Sequence, residues 1–506
     1  MISAFTNTFK IPELRNRILF TLLILVVVRL GAAITCPGID VSVLHEWFKY
    51  EAQHQAGGSS FAALFNLFSG GAMENCAIFS LGVMPYISAS IMMQLLTAVI
   101  PKLAKLAKED GGRQKIMQYT RYATIALCLG QGYALAMTFQ NPSSNPFLPG
   151  IAETVARIGR PLVVNSGFGF VIPAVIVLTA GTMFMMWLGD QITDRGIGNG
   201  MSLIITIGIV ARLPAGLIQV WNLFVPSDVT AGASQGVRPM ALVLMIAFFF
   251  LVVAAVICVT QAQRKVAIQY AKRVVGRRQT GGGTQYMPLK VNYAGVMPII
   301  FGQALLMFPP QIAQLPALRG IDWVQKIASS LVDGTWHYTI YGAMIFFFSY
   351  FWVATQFQPQ QIADDLKKYG GYIPGVRPGK PTADYLNFAM NRLTFAGAVF
   401  LTIIAVLPQL LTRAMGIPYM AASFFGGTSL LIMVGVVLDT MRQIETHLIQ
   451  RHYDGFLRKG RIRGRFENKP SGFGEAVQAG GIVWLYAGVS ALILIFAVYF
   501  LAHGTR

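Results

Sequence analysis

The chain has 506 residues, of which 54% are hydrophobic and only 12% charged, with a formal net charge of +19 at pH 7. Soluble domains carry about 25% charged residues, so this composition excludes a string of soluble domains and describes a polytopic membrane protein. The four cysteines (Cys36, Cys76, Cys128, Cys258) and six histidines (His45, His54, His337, His447, His452, His503) have no metal-binding or redox spacing. That argues against a disulfide framework, and no His/carboxylate cluster is expected at membrane depth.

In chain order, residues 1–17 form a short basic N-terminus. The apolar run 18–39 is too long for a signal-peptide core and is followed by further apolar runs, so it reads as a first span. Next comes FSGGAMENCAIF (68–79), a half-polar stretch with no charged boundary before the following apolar run. Windows of about 20 apolar residues then place spans at 78–100, 120–140, 169–189, 200–222, 240–262, 293–311, 338–358, 393–414, 424–447 and 482–502. Runs of this length are α-helical, because a barrel strand needs only about 10 residues.

The loops alternate sharply in charge. Those on the side of the N-terminus hold 29 Lys/Arg and those on the other side six, which puts the N-terminus in the cytoplasm. Three cytoplasmic segments exceed simple connectors. Residues 263–290 alternate apolar and polar residues around a Gly-rich tip and predict a protruding β-like hairpin. Residues 359–392 open as a helix and end in a Gly/Pro-punctuated basic tip, and 449–481 form a basic tail. The first two suit docking of an anionic partner such as ribosomal RNA or an acidic protein; the tail fits that role or simple topology setting equally.

An internal repeat lies in the spans. VMPYI (83–87) returns as VMPII (296–300), and NGMSLII (199–205) as GGTSLLI (426–432), each pair five spans apart. An odd interval reverses direction through the membrane, the mark of inverted-topology repeats. The two halves are then 18–225 and 240–448. The repeat selects Val83, Ile87, Met201, Ile205, Ile300 and Ile432 as aliphatics near a common axis. Individually these suit ordinary packing; together they suit a hydrophobic constriction that excludes water and ions.

A secondary transporter of small solutes would share inverted repeats but needs ionisable groups at the midplane. The spans offer Arg29, which reads as a packing or snorkelling residue ahead of a gating element, and Asp439, which is expected to pair with Arg442. No HExxH pair, nucleophile–His pairing or phosphate-binding loop is present, so no enzyme is expected and no cofactor is implied. Apolar spans with large docking loops point instead to conduction of a polymer driven by a partner.

Long ordered strings carry a resemblance to a known family: LFSGGAMENCAIFSLGVMPYISASIMMQLL, QYTRYAT, GTMFMMWLGDQITDRGIGNGMSLII, IQYAKR, MPLKVNYAGVMPIIF, GYIPGVRPGKPT and FFGGTSLLI. Over about residues 10 to 465 the chain resembles the SecY family, the central channel subunits of the bacterial Sec translocon. The resemblance implies an all-α, ten-helix channel of two five-helix halves in the plasma (inner) membrane. Its pore ring falls on the same six residues, with Val83 and Met201 departing from the family's usual isoleucine. Residues 65–77, including Phe68, Ser69, Gly70, Gly71, Glu74 and Asn75, match the plug, a short helix expected to re-enter from outside beneath the ring.

Ser88, Gln131 and Asn292 match polar positions of a lateral gate between the second and third and the seventh and eighth spans; they suit interhelical hydrogen bonding equally. Arg264, Lys265, Lys272 and Arg273, with Arg377, Pro378, Gly379 and Lys380, match surfaces that bind the ribosome or SecA. Further implied partners are SecE and SecG, preprotein signal sequences, anionic lipids, SecDF and a YidC-type insertase. The run 482–502 departs from the ten-span pattern. Its length and lack of charge favour an eleventh span and an external C-terminus; lying on the membrane surface, it would leave ten spans.

Overall fold

The computed structural model describes residues 11–54, 66, 69–109, 111–140, 151–163, 167–224, 239–270, 273–275, 278–280, 284–313, 321–332, 335–415, 422 and 427–458. Ten helices coincide with the first ten apolar windows: α1 (Pro12–Gly31), α3 (Met84–Val99), α5 (Gly112–Gln140), α7 (Phe168–Arg195), α8 (Gly200–Phe224), α9 (Pro239–Gln261), α10 (Met297–Ala313), α12 (Thr335–Gln356), α14 (Lys380–Met415) and α15 (Gly427–Arg458). Between them lie α2 (Val41–His54), α4 (Pro101–Lys108), α6 (Ile151–Ile158), α11 (Asp322–Val332) and α13 (Pro359–Lys368). Among the described residues, six helices are long and apolar enough to cross a membrane, or seven if the bent pair α3–α4 counts as one. The run 482–502 lies outside the described residues.

Several boundaries shift for local reasons. α1 stops at Gly31 rather than running to residue 39, and the chain turns through Cys36, Pro37 and Gly38. The second span begins at Met84, not 78, because residues 69–83 form consecutive turns. It ends in a 105° bend. Ile100 is extended there (φ −92°, ψ 112°), as a residue before proline prefers. The last helix continues to Arg458, so the start of the basic tail is helical.

The expected hairpin is present and goes further than its sequence pattern indicated. β1 (Gln263–Tyr270) pairs antiparallel with β4 (Thr284–Lys290) from Gln263↔Lys290 to Gln269↔Thr284. Inside that loop, β2 (Arg273–Val275) pairs with β3 (Arg278–Thr280). On the other edge of β1 lies β5 (Gly371–Tyr372), which comes from the 359–392 loop, giving a sheet of order β4–β1–β5. The two loops therefore form one body. Val266 and Leu289 of the sheet share an apolar cluster with Phe357, Ile373, Leu386 and Met390.

The helices pack in two main apolar clusters. One spans α1, α2, α3, α5, α7 and α8 and reaches Ile300, Phe301, Phe348 and Ile432. The other joins α9, α10, α12, α14 and α15 through residues such as Met245, Val256, Ile299, Ile345, Leu401 and Leu431. α8 packs against α15, and α3 against α10. Polar ties hold the turn ahead of α8 to its neighbours: Gly198 N–H donates to Gln443 Oε1 on α15 (2.8 Å), and Ile197 N–H to Thr21 Oγ1 on α1 (3.1 Å).

Candidate conduction site

The six aliphatics selected by the repeat all belong to, or pack against, the first apolar cluster. Val83, Ile205, Ile300 and Ile432 are 4%, 7%, 7% and 2% exposed within a single apolar cluster. Ile87 and Met201 are partly buried and pack against it. Val83 immediately precedes α3, Met201 and Ile205 lie in the first turns of α8, and Ile300 and Ile432 occupy the early turns of α10 and α15. Four helix beginnings thus bring aliphatic groups into one apolar cluster, an arrangement suited to a dry constriction.

Beside this cluster lies segment 69–83. Of the short helix expected over 65–77, Asn66 is helical, 65, 67 and 68 lie outside the described residues, and the stretch 69–83 is a chain of turns with its own backbone hydrogen bonds. Gly71 N–H donates to Asn66 O (2.9 Å), Ala77 N–H to Ala72 O (2.8 Å), and Ser80 Oγ to Ala72 O and Ala77 O (3.0 and 2.6 Å). Gly70 (φ +66°) and Gly71 (φ +92°) adopt left-handed backbone that favours glycine. A Cβ on Gly70 would meet Gly208 Cα at 2.6 Å and Arg29 Nη1 at 3.0 Å, while one on Gly71 would meet Arg212 Nη2 at 2.8 Å. Two arginines therefore approach because these positions lack side chains. Phe68 lies outside the described residues.

Polar bonds hold the segment to its surroundings. Arg29 Nη1 donates to Gly70 O (2.9 Å), and Asn75 Nδ2 to Ala32 O (3.3 Å). Arg212 Nη2 donates to Glu74 Oε2 (2.5 Å), with the arginine side chain only 11% exposed. His45 Nδ1 on α2 lies 3.2 Å from Glu74 Oε1. Asn66 clasps Glu74 from both sides, Nδ2 donating to its Oε2 (3.4 Å) and Oδ1 accepting its backbone N–H (3.2 Å). A cavity of ≈ 680 Å³ borders this knot and is lined by Arg29, His45, Lys49, Glu74, Asn75 and Arg212 among others. Burial pushes the Glu74 carboxyl up, but the Arg212 charge and the bonds from Arg212, Asn66 and His45 outweigh it and leave it below the usual carboxylate range.

The structure adds two contacts to the sequence reading and corrects one elsewhere. Arg212 lies within an apolar window and escaped notice, although the same reasoning that singled out Arg29 applies to it. His45, half exposed on α2 outside the apolar windows, lies beside Glu74, a contact between distant residues that their sequence spacing does not show. Asp439 and Arg442 are both exposed and form no ion pair with each other, so the local pairing assigned to them is absent. Arg29 makes a specific backbone contact in addition to its place in helix packing.

Ser88 on α3 and Asn292 ahead of α10 are buried, at 8% and 7% exposure; Gln131 on α5 is partly buried. Among the described residues Gln131 Oε1 and Asn292 Nδ2 have no hydrogen-bond partner, a condition shared by buried polar atoms of Gln94, Thr179, Gln303, Thr394 and Ser429. Orphaned polar atoms of this kind cost free energy unless another state satisfies them. Arg264 and Lys265 are exposed on β1, and Arg377, Pro378 and Lys380 are exposed around the next tip, with Gly379 partly exposed. That tip is preorganised: Thr382 Oγ1 donates to Arg377 O (2.8 Å) and Thr382 N–H to Gly379 O (3.0 Å). Arg273 lies on β2, while Lys272 lies outside the described residues.

Comparison with known proteins agrees with this architecture. The SecY family model matches residues 77–441. The protein translocase subunit SecY of Streptomyces scabiei is 42% identical over 461 residues, covering 90% of this chain and all of that protein. The corresponding subunit of Thermotoga maritima is 40% identical over 466 residues, covering 92% of this chain and all of its own length. A solved structure described as a protein-conducting channel superposes with a TM-score of 0.58 at 17% identity, covering 87% of this chain and 93% of that one. At that identity the likeness speaks for the fold. With the family model and full-length relatives in agreement, the chain belongs to the SecY family.

Proposed function

We propose that the chain is the protein-conducting channel of a Sec translocase, passing unfolded preproteins across the plasma membrane and releasing apolar segments sideways into lipid. The observation that supports this reading is a single apolar cluster holding six aliphatics from four helix beginnings, beside the turn-built segment 69–83. The ring closes on water and ions when empty and yields to a chain. Residues 65–77 are the plug, and the lateral gate lies between the second and third and the seventh and eighth spans, where α3 packs against α10.

The orphaned Gln131 and Asn292 atoms support that seam, since an entering signal segment would offer new partners. The topology follows the charge asymmetry: a cytoplasmic N-terminus, two halves (18–225 and 240–448), ten spans and an eleventh at 482–502. The sheet β4–β1–β5 and the Arg377 tip form one basic cytoplasmic platform for SecA or the ribosome. SecE and SecG are its membrane partners, and the energy comes from the motor, since the channel itself performs no chemistry.

Purified chain reconstituted with SecE and SecA should admit a preprotein only when ATP is supplied. Uptake of a small solute without those partners would favour the transporter reading instead. Reversing charge at Arg377 should impair SecA-driven entry and leave membrane assembly intact. A protease-accessible tag after Arg506 should be cleaved from outside.

A further inference from the structure

Two cysteines with no sequence relationship face each other where the plug meets the end of the first span. Ile78 N–H donates to Ile34 O (2.9 Å) and Cys36 N–H to Cys76 O (2.8 Å), forming an antiparallel bridge centred on Thr35↔Ala77. In that register Cys36 and Cys76 are the next opposed pair. One backbone bond joins the two residues directly; in a regular ladder opposed residues of this kind lie about 5.5 Å apart between Cα atoms, inside the about 4.4–6.8 Å that a disulfide spans.

The second bond of a regular pair is absent, because Cys76 N–H donates instead to Met73 O (3.0 Å). Cys76 also adopts φ +40°, the only non-glycine residue with positive φ among the described residues. Both thiols are free, are 2% and 1% exposed, and lie in the same apolar cluster. Burial pushes both thiols up, and the nearness of Cys36 adds to the rise at Cys76.

We propose that Cys36 and Cys76 form a redox-reversible disulfide that staples the plug to the chain leaving α1 and locks the closed channel. The inference rests on the plug reading above and on the outward placement of this end, where disulfides persist. The oxidant is an external disulfide. The Cys36 thiolate, the less strongly shifted of the two, attacks one of its sulfurs and releases a thiolate. The Cys76 thiolate then attacks the Cys36 sulfur of the mixed disulfide and releases the second. The two cysteines give up two electrons and two protons, and the external disulfide becomes two thiols. Because both thiols are buried and protonated at rest, the closed plug oxidises slowly. Reduction by an external dithiol reverses the lock.

The test uses the full chain with SecE in vesicles, exposed at pH 8.5 to the small apolar oxidant dipyridyl disulfide. Peptide mass mapping should find Cys36 joined to Cys76. SecA-driven preprotein entry should fall at least about tenfold, as expected for a cross-link that restricts opening, and recover with dithiothreitol. Cys36→Ser and Cys76→Ser should each show no oxidant-induced loss relative to their own untreated transport, while Cys258→Ser should remain sensitive. Separately capped Cys36 and Cys76, or two untouched thiols once the exposed Cys258 is fully capped, would overturn the staple. A linked pair with unchanged transport would overturn the lock. The mass readout does not depend on transport, so failure of the channel reading is distinguishable from failure of the staple.

Discussion

Glu74 accepts hydrogen bonds from Arg212 on α8 and from Asn66, and faces His45 on α2. A charge-assisted bond with one nearly buried partner contributes about 1.5–3 kcal/mol. Glu74→Gln should therefore shift plug opening by about tenfold or more, since each 1.4 kcal/mol is tenfold; ion leakage through vesicles holding the idle channel measures it. Arg212→Ala should produce a similar leak, and the double variant should leak little more than either single one.

The pH dependence has a definite sign. Because the Glu74 carboxyl is held below its unfolded value, its stabilisation is complete above the unfolded pKa and is lost as pH falls through the lowered folded one. Leakage should stay flat through neutral pH and rise only on acidification, and Glu74→Gln should abolish that rise. Gly70→Ala places a Cβ 2.6 Å from the Gly208 backbone in a left-handed conformation. It should unseat the plug at a cost of about 1–3 kcal/mol, read by the same leak.

Among elements, the cytoplasmic sheet shows how two docking loops become one surface. β5 contributes only two residues, too short a strand to hold by backbone pairing alone. What fixes it is Ile373, 4% exposed in the cluster with Val266 and Leu386. Ile373→Asp buries an unpaired charge and should cost about 3 kcal/mol or more locally. Trypsin should then cut after Lys368, exposed just ahead of this strand, at least tenfold faster, with the helical circular dichroism unchanged. The hairpin itself was legible as alternation around glycines. Its third strand was not, because pairing between residues about a hundred positions apart leaves no local period. The lack of helix over 69–83 was hidden for a related reason: Gly70 and Gly71 mark a break, but the tertiary partners Arg29, Arg212 and Asn66 decide which turns replace the helix.

At the scale of the molecule, the six aliphatics of the proposed ring belong to or pack against one apolar cluster that bridges the α8–α15 and α3–α10 contacts. Ile432, 2% exposed, carries the C-terminal side of that cluster. Ile432→Asn should wet the constriction, raise ion leakage and let preproteins with defective signal sequences through; unchanged leakage and selectivity would count against the ring.

Apolar run length alone determined the helical, membrane-embedded class, because a bilayer demands long self-satisfied segments. Loop charge alone set the expected orientation, and repeated words in reversed spans alone picked out the six aliphatics. Only the tertiary structure decided what surrounds them. Arg29, His45, Glu74 and Arg212 come from four separate elements, and Cys36 and Cys76 from two turns forty residues apart. Such partners follow no period in the chain; they are selected by which backbones can approach closely enough to share a hydrogen bond.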